Sequence, residues 1–102
     1  MSTVRHVVLV KFKEDATGEE KQKFIERSSF GKSASFVSNF ACGWGVDPNP
    51  YASASEQWDW ALTLDLPDGD SLRYANDPEH RAAGAEIAGL AEKFAILDFV
   101  IE

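Results

Sequence analysis

The chain has 102 residues, the length of one small domain and too short for two separate hydrophobic cores. Its formal net charge is −7. Nucleic-acid-binding proteins cluster lysine and arginine to neutralise phosphates, and anionic membranes attract the same residues, so this charge argues against both partners. Hydrophobic residues make up 44% of the chain, which is enough for a packed core and argues against disorder. We therefore expect one folded domain over residues 1–102, without nucleic acid or membrane among its partners.

Cysteine and histidine are scarce. Cys42 is the single cysteine, which excludes an intramolecular disulfide and a cysteine-rich zinc site. His6 and His80 lie far apart in the sequence and no third ligand is identifiable, so we predict no metal site. The apolar stretch near the N-terminus is interrupted by Lys11 and Lys13, which argues against a signal peptide or a membrane span. We predict a cytoplasmic location.

The first elements are a strand and a helix. The segment Val4–Phe12 carries apolar residues on both faces, which predicts a strand covered on both sides. Thr17 with Glu20 three residues later fits a capping box and predicts a helix over Gly18–Arg27. Residues 28–38 contain five serines and stay unassigned: this segment either continues the helix or breaks it.

Two more strands and a short helix follow. The segment Asn39–Val46 predicts a strand in which Gly43 and Gly45 indicate a bulge or a close approach of backbone. Trp58–Leu66 alternates apolar and polar residues more clearly than any other segment and predicts the third strand. After a turn, Ser71–Ala75 is predicted to be a short helix.

The last two elements are a helix and a strand. Asp77 as N-cap and Pro78 at the first helical position begin a helix that is predicted to end near Glu92. Phe94–Ile101 predicts the final strand, which is apolar on both faces apart from Asp98.

The order strand, helix, strand, strand, helix, strand is that of the ferredoxin-like split βαβ fold. It predicts an α+β domain in which a four-stranded antiparallel sheet carries both helices on one face. The first and last strands are also apolar on the opposite face, and an apolar surface of that size needs a cover. We therefore predict a homodimer in which two sheets close into a dimeric α+β barrel.

Four tracts resemble the stress-responsive A/B barrel (Dabb) domain family: Val4–Lys13, Trp44–Asp47, Tyr74–His80 and Ile96–Phe99. The first and third tracts together are the most specific, and the resemblance covers nearly the whole chain. The family consists of dimeric α+β barrels, in agreement with the order of elements above.

The resemblance also implies a type of chemistry. Members of the family include olivetolic acid cyclase, which closes a linear polyketide by aldol condensation, and a hydroxynitrile lyase, and both transfer protons without metal or cofactor. The cyclase pattern implies His80 as the catalytic acid/base, Tyr74 as an orienting donor and His6 as a supporting group. Histidine exchanges protons near neutral pH, and the positive end of a helix favours its neutral form.

The same resemblance implies a pocket for a small-molecule substrate. Its apolar residues correspond to Val8, Val10, Phe24, Ile25, Phe94 and Ile96. Two positions depart from the cyclase pattern, because Ser28 stands in place of a tyrosine and Trp60 in place of a histidine. Trp60 points the same way as Leu62 on its strand, and its indole is predicted to narrow the pocket.

Two main hypotheses follow, beside a cofactor-free oxygenase on the related dimeric barrel, for which the chain has no specific feature. The first is a cofactor-independent polyketide cyclase or lyase that acts on a small, largely apolar, oxygenated substrate. The second is a non-catalytic stress-response homodimer that binds a small ligand. Each proposed catalytic residue also has a structural alternative: His80 bonding a loop carbonyl, His6 packed in the core, and Tyr74 as a core or interface aromatic.

Overall fold

The computed structural model describes residues 2–51, 53 and 57–101. It confirms the ferredoxin-like α+β fold, with one sheet of four strands. The elements in chain order are β1 (Thr3–Phe12), α1 (Gly18–Ser28), a 3₁₀ helix (Ser29–Lys32), β2 (Ser38–Trp44), β3 (Trp60–Pro67), α2 (Ser71–Ala75), α3 (Pro78–Leu90) and β4 (Ala91–Ile101). Within the described part of the chain, no helix is long and apolar enough to cross a membrane.

The strands lie in the order β2-β3-β1-β4, and each neighbouring pair is antiparallel. β1 is therefore central and bonds to both β3 and β4. In its middle, His6 lies opposite Leu64 of β3 on one side and opposite Asp98 of β4 on the other. Side chains in such a row point to the same face of the sheet. This register places a histidine and a carboxylate side by side on one face.

The three predicted helices are confirmed: Ser71–Ala75 has its predicted bounds, and the other two begin at their predicted caps. The Thr17 hydroxyl accepts a hydrogen bond from the Glu20 backbone N–H at 3.1 Å, and the Glu20 carboxylate accepts one from the Thr17 N–H at 2.9 Å. The Asp77 carboxylate accepts from the Glu79 N–H at 2.8 Å, and Pro78 is the first residue of α3. These bonds satisfy backbone donors that have no partner inside the helix.

Several predicted boundaries were wrong. α3 ends at Leu90 rather than Glu92, and β4 begins directly at Ala91 rather than at Phe94. Ala91 pairs with Phe12 across an irregularity in the ladder, so the start of β4 is held by the end of β1. Gly89, the penultimate residue of α3, is a local signal for a helix end near this position.

The other shifts are smaller. β2 ends at Trp44 and β3 begins at Trp60, two residues inside the predicted limits on each side of the connecting loop. α1 extends by one residue to Ser28, and the unassigned segment then forms a 3₁₀ helix over Ser29–Lys32. The side chain of Ser29 donates to the Ile25 carbonyl at 2.9 Å, which ties this turn to the end of α1.

The predicted irregularity in β2 is present, but not at Gly43. The register of β2 against β3 shifts between Ser38 and Ala41, where Asn39 adopts a left-handed backbone with φ of 52°. Gly45 does mark a close approach, because a Cβ atom there would lie 3.2 Å from the Trp58 carbonyl oxygen. Only the second glycine therefore has the role predicted for it.

The hydrophobic core fills the space between the helices and one face of the sheet. Its aromatic rings meet edge to face: Phe12 against Phe24 at 6.1 Å between centroids, and Phe24 against Trp60 at 5.5 Å. Such contacts add to the stabilisation from burial. The buried members of the core are Val10, Phe12, Phe24, Trp60, Leu62, Leu64, Leu66, Tyr74, Ala83 and Ile87.

One buried carboxylate lies on the opposite face of the sheet. Asp65 accepts two hydrogen bonds from the Arg5 guanidinium, at 2.8 and 3.1 Å, and a third from the Asn39 side-chain amide at 2.8 Å. The hydrogen bond from Arg5 is the main reason why the pKa of Asp65 lies below its ordinary value, and burial opposes the shift. This network joins β1, β3 and the irregular start of β2.

We expect Asp65→Asn to lower the melting temperature at neutral pH. The folded-state pKa of Asp65 is depressed, so its stabilising effect is present above its unfolded pKa and is lost as the pH falls through the folded value. The deficit relative to wild type should therefore shrink in acid. Thermal melts of both proteins between neutral pH and acid measure this, with Asp68→Asn at an exposed turn as the control. A deficit that is the same at every pH would contradict the role of the charge.

Candidate active site

A cavity of about 120 Å³ lies between the helices and the sheet. Most of its wall is apolar, and its polar side chains come mainly from two histidines, a tyrosine and a serine. A mostly apolar cavity with a few convergent polar groups is the usual form of a small-molecule site. The lining residues are His6, Val8, Phe24, Ser28, Phe30, Trp60, Leu62, Tyr74, His80, Ala83, Gly84, Ile87, Phe94 and Ile96.

The structure brings most of the sequence-predicted site residues to this cavity. The three proposed catalytic residues line it, as do Val8, Phe24, Ser28, Trp60, Leu62, Phe94 and Ile96. Val10 and Ile25 do not. Val10 pairs with Trp60 in the sheet and is completely buried, while Ile25 packs against the edge of the core from α1.

Three rings form a compact cluster on the cavity wall. The centroids of Tyr74 and His80 are 4.6 Å apart, those of His6 and Tyr74 5.3 Å, and those of His6 and His80 6.2 Å. The break between α2 and α3 positions Tyr74 and His80. The Asp77 backbone N–H donates to the Tyr74 carbonyl at 3.1 Å, and the Asp77 side chain caps α3. His80 follows in the first turn of that helix, so both rings face the histidine on β1.

His80 is a half-buried imidazole whose tautomer is set by the backbone. Its Nδ1 lies 3.2 Å from the Ala75 carbonyl oxygen. A carbonyl only accepts, so Nδ1 carries the proton and donates, which leaves Nε2 as the basic nitrogen. Burial lowers the pKa of His80 below its ordinary value, and the hydrogen bond to Ala75 opposes this shift. The predicted direction is correct, but burial is the leading cause rather than the helix end.

Tyr74 is a buried phenol that stays protonated at neutral pH. Burial, followed by the negative charges of Asp77 and Asp98, raises the pKa of Tyr74 to about 12. Its ring stacks on Phe30 with 5.5 Å between centroids and 10° between planes. Tyr74 is therefore a fixed hydrogen-bond donor at the cavity wall.

His6 has a carboxylate partner that the sequence did not reveal. Its Nδ1 lies 2.5 Å from Oδ1 of Asp98, the residue that pairs with His6 on β4. The carboxylate accepts a hydrogen bond, so Nδ1 of His6 carries the proton and donates it. Other carboxylate–histidine pairs set the histidine tautomer in the same way. The available signal was that Asp98 is the one charged residue in the otherwise apolar segment from Phe94 to Ile101.

Four further lining residues were missed. Phe30 lies in the segment that the sequence left unassigned, and Ala83, Gly84 and Ile87 come from the inner face of α3. Among the residues that the structure describes, no group of three or more metal-ligating side chains is arranged to hold an ion.

Comparison with known proteins places the chain in a family. The sequence model of the Stress responsive A/B Barrel Domain, Dabb, matches residues 4–101. No protein of curated function matches the sequence.

Solved structures share the fold over nearly the whole length. A dimeric ferredoxin-like protein of unknown function from Thermobifida fusca is 26% identical, with a TM-score of 0.80 over 98% of this chain and 92% of that one. A dimeric protein of unknown function from Bacteroides fragilis is 28% identical, with a TM-score of 0.71 over 97% and 96%. The hydroxynitrile lyase from Passiflora edulis is 18% identical, with a TM-score of 0.83 over 98% and 94%, and shows likeness of fold. Since the family match spans almost the entire sequence, the chain belongs to the stress-responsive A/B barrel (Dabb) domain family.

Proposed function

We propose that the protein is a cofactor-independent acid/base enzyme acting on a small, largely apolar, oxygenated substrate. The observation that carries this proposal is the contact between a neutral imidazole and a protonated phenol, His80 and Tyr74, on the wall of an apolar cavity. Abstraction of a proton next to a carbonyl requires a base and a hydrogen-bond donor close to each other.

The proposed roles follow from the protonation states. Nε2 of His80 takes a proton from a hydroxyl or from a carbon next to a carbonyl. The Tyr74 hydroxyl donates a hydrogen bond to the oxygen on which negative charge develops. His6, held by Asp98, supports the cluster from β1. In a lyase reaction the electrons of the broken C–C bond leave with the departing group, which then receives the proton from His80.

The size of the cavity favours a small substrate. A cavity of about 120 Å³ is close to the roughly 150 Å³ of an engineered apolar cavity that holds benzene. A single ring with a short polar substituent fits this space better than a long polyketide chain. Cleavage or formation of a bond next to an aromatic aldehyde is therefore favoured within the aldol and lyase chemistry proposed.

The wild-type protein should accelerate the release of benzaldehyde from mandelonitrile, the cyanohydrin of benzaldehyde. Tyr74→Phe should lower kcat by about 10²–10³, because it removes one hydrogen bond to a developing oxyanion. Tyr51→Phe is the matched control, since Tyr51 is the other tyrosine and lies exposed on the surface. Absorbance of the released aldehyde gives the rate. Full activity in Tyr74→Phe would contradict the role of the phenol.

The second candidate is a non-catalytic protein that binds a small apolar ligand. It is favoured by the apolar lining itself, in which Trp60, Leu62 and Ile87 form a site that needs no chemistry to bind a ring. Titration of benzaldehyde followed by tryptophan fluorescence distinguishes the two. Saturable binding without any turnover of the cyanohydrin would support the second candidate.

We also propose that the protein is a homodimer. The sheet face without helices carries exposed Leu97, Phe99 and Ile101 beside half-buried Val7 and Leu9. Neighbouring strands lie about 4.8 Å apart, and each residue of a strand adds about 3.3 Å to its length. Four strands of about eight residues therefore form a face with a flat area of about 500 Å². That is compatible with the roughly 800 Å² of accessible surface that each partner buries in a stable complex. The related structures from Thermobifida fusca and Bacteroides fragilis are dimeric.

Sedimentation at micromolar concentration should give about twice the chain mass of 11.3 kDa. Leu97→Asp should shift the protein to monomer, because it places a charge in the apolar face. Leu72→Asp is the matched control, since Leu72 is also an exposed leucine but lies on α2, away from that face. A wild-type monomer under these conditions would contradict the proposal.

A further inference from the structure

We infer that Gly84 forms the entrance of the cavity and limits which molecules reach His80. The entrance lies between α3 and β4, and it admits small, uncharged, largely apolar molecules. The inference rests on the function proposed above, since it takes this cavity as the binding site. It adds the path into the site and the residue that controls this path.

The cavity wall changes from buried to exposed on one side. On α3 the lining residues Ala83 and Ile87 are 7% and 6% exposed, whereas Gly84 lines the same cavity and is exposed. On β4 the lining residues Phe94 and Ile96 are 47% and 55% exposed. Residues that line a cavity and are also exposed mark the place where the cavity opens to solvent. These three exposed members of the lining therefore place the opening between α3 and β4.

Neither the backbone nor the packing requires a glycine at position 84. Gly84 lies in the middle of α3 without a left-handed φ, and a Cβ atom there would have no packing neighbour within 4 Å. Glycine is also less favourable than alanine in the interior of a helix. Gly89 lies in open space as well, but it is the penultimate residue of α3, where a glycine fits the end of the helix. The feature that Gly84 provides is the space left by the missing side chain.

The opening leads to the proposed base. Gly84 follows His80 by four residues, so the two lie on one face of α3, one turn apart. Side chains on a helix lean towards its N-terminus and cover the preceding turn. A large side chain at position 84 would therefore lie over the turn of His80 and obstruct the path. Phe94 and Ile96 give the opening an apolar rim, which favours uncharged ligands because a charge loses hydration there.

A thiol inside the cavity measures passage through this opening without any assumption about the substrate. Ser28 lines the cavity and is buried, and cysteine is close to serine in size. In the double variant Cys42→Ser/Ser28→Cys the cavity thiol is the only one, because Cys42 is the sole cysteine of the chain. Mass spectrometry follows its modification by methyl methanethiosulfonate, a small uncharged reagent. We expect this thiol to react while the protein is folded, because the opening admits the reagent.

Addition of Gly84→Leu should slow the modification about tenfold, which corresponds to about 1.4 kcal/mol in the barrier to entry. Gly89→Leu is the matched control, since it is the same change on the same helix, and it should leave the rate unchanged. Gly84→Ala separates obstruction from helix stability. Alanine is the better helix former but is too small to fill the opening, so it should slow the modification much less than leucine does. Circular dichroism checks the fold, and Gly84→Met repeats the test with an unbranched side chain.

Three results would overturn the inference. They are equal rates with Gly84→Leu and Gly89→Leu, equal slowing by Gly84→Ala and Gly84→Leu, and a cavity thiol that reacts only after urea unfolds the protein. Catalysis is measured separately with mandelonitrile, for which Gly84→Leu should lower kcat/KM and leave kcat close to wild type. Obstruction of the thiol by Gly84→Leu without turnover in the wild type supports the entrance and counts against the proposed enzyme.

Discussion

Replacement of His80 by alanine is expected to abolish turnover and leave the fold intact. His80 is half-buried in the first turn of α3, and its side chain is hydrogen-bonded to the Ala75 carbonyl rather than packed in the core, so its removal takes little from the core. It also removes the imidazole whose ring centroid lies 4.6 Å from that of Tyr74. A general base of this kind typically contributes about 10²–10⁴-fold to the rate. Turnover of mandelonitrile and circular dichroism, measured together, separate loss of chemistry from loss of structure.

The pH dependence provides an independent check on the same residue. Burial lowers the pKa of His80, so activity should rise with pH through a midpoint below the ordinary value of 6.5. It should then stay level until Tyr74 loses its proton, near its pKa of about 12. Glu79→Ala, one residue away and exposed, is the matched control and should keep both the rate and the profile. Activity in His80→Ala that approaches wild type would remove His80 from the mechanism.

Trp60→Ala is expected to give the largest loss of stability and a wider cavity. The indole is almost completely buried, and Phe24 packs against it edge to face at 5.5 Å. Truncation of a buried aromatic residue to alanine lowers the free energy of unfolding by about 3–5 kcal/mol. Small domains have about 5–15 kcal/mol in total, so urea unfolding should show a much lower midpoint.

Trp58→Ala is the matched control for this variant. Trp58 is only half-buried, with the Lys93 ammonium 4.8 Å from its ring centroid, so its loss should cost much less. Trp60→Ala should also bind 2-naphthaldehyde better relative to benzaldehyde, because the lining indole is gone. An unchanged preference between the two aldehydes would show that Trp60 does not limit the size of the ligand.

Much of the fold was predictable because local patterns carry it. Alternation in β3 and the two caps at Thr17 and Asp77 identify their elements without any tertiary information. The prediction missed the junction between Leu90 and Ala91, because β4 begins directly after the helix, where Ala91 pairs with Phe12. The serine-rich segment of residues 28–38, which contains the 3₁₀ helix, has no apolar periodicity, and for that reason Phe30 was missed as the ring that stacks on Tyr74.

The candidate site also contains one part that the sequence predicted and one part that depends on tertiary contacts. Tyr74 and His80 are six residues apart, within one of the tracts that resemble the family, and this resemblance associated them. The pairing of His6 with Asp98 depends on the register of β1 against β4 and joins residues 92 positions apart. No local pattern encodes such a contact. The identity of the carboxylate became visible only when the sheet was assembled.

The central place of β1 also affects how the protein is made. A ribosome adds about 5–20 residues each second, so His6 is synthesised roughly 5 to 20 s before Asp98. During that interval β1 has neither β4 nor, for most of the time, β3 to bond with. Contacts this distant in sequence slow folding. The proposed site, which includes the pair of His6 and Asp98, can therefore be complete only after translation has reached the last strand.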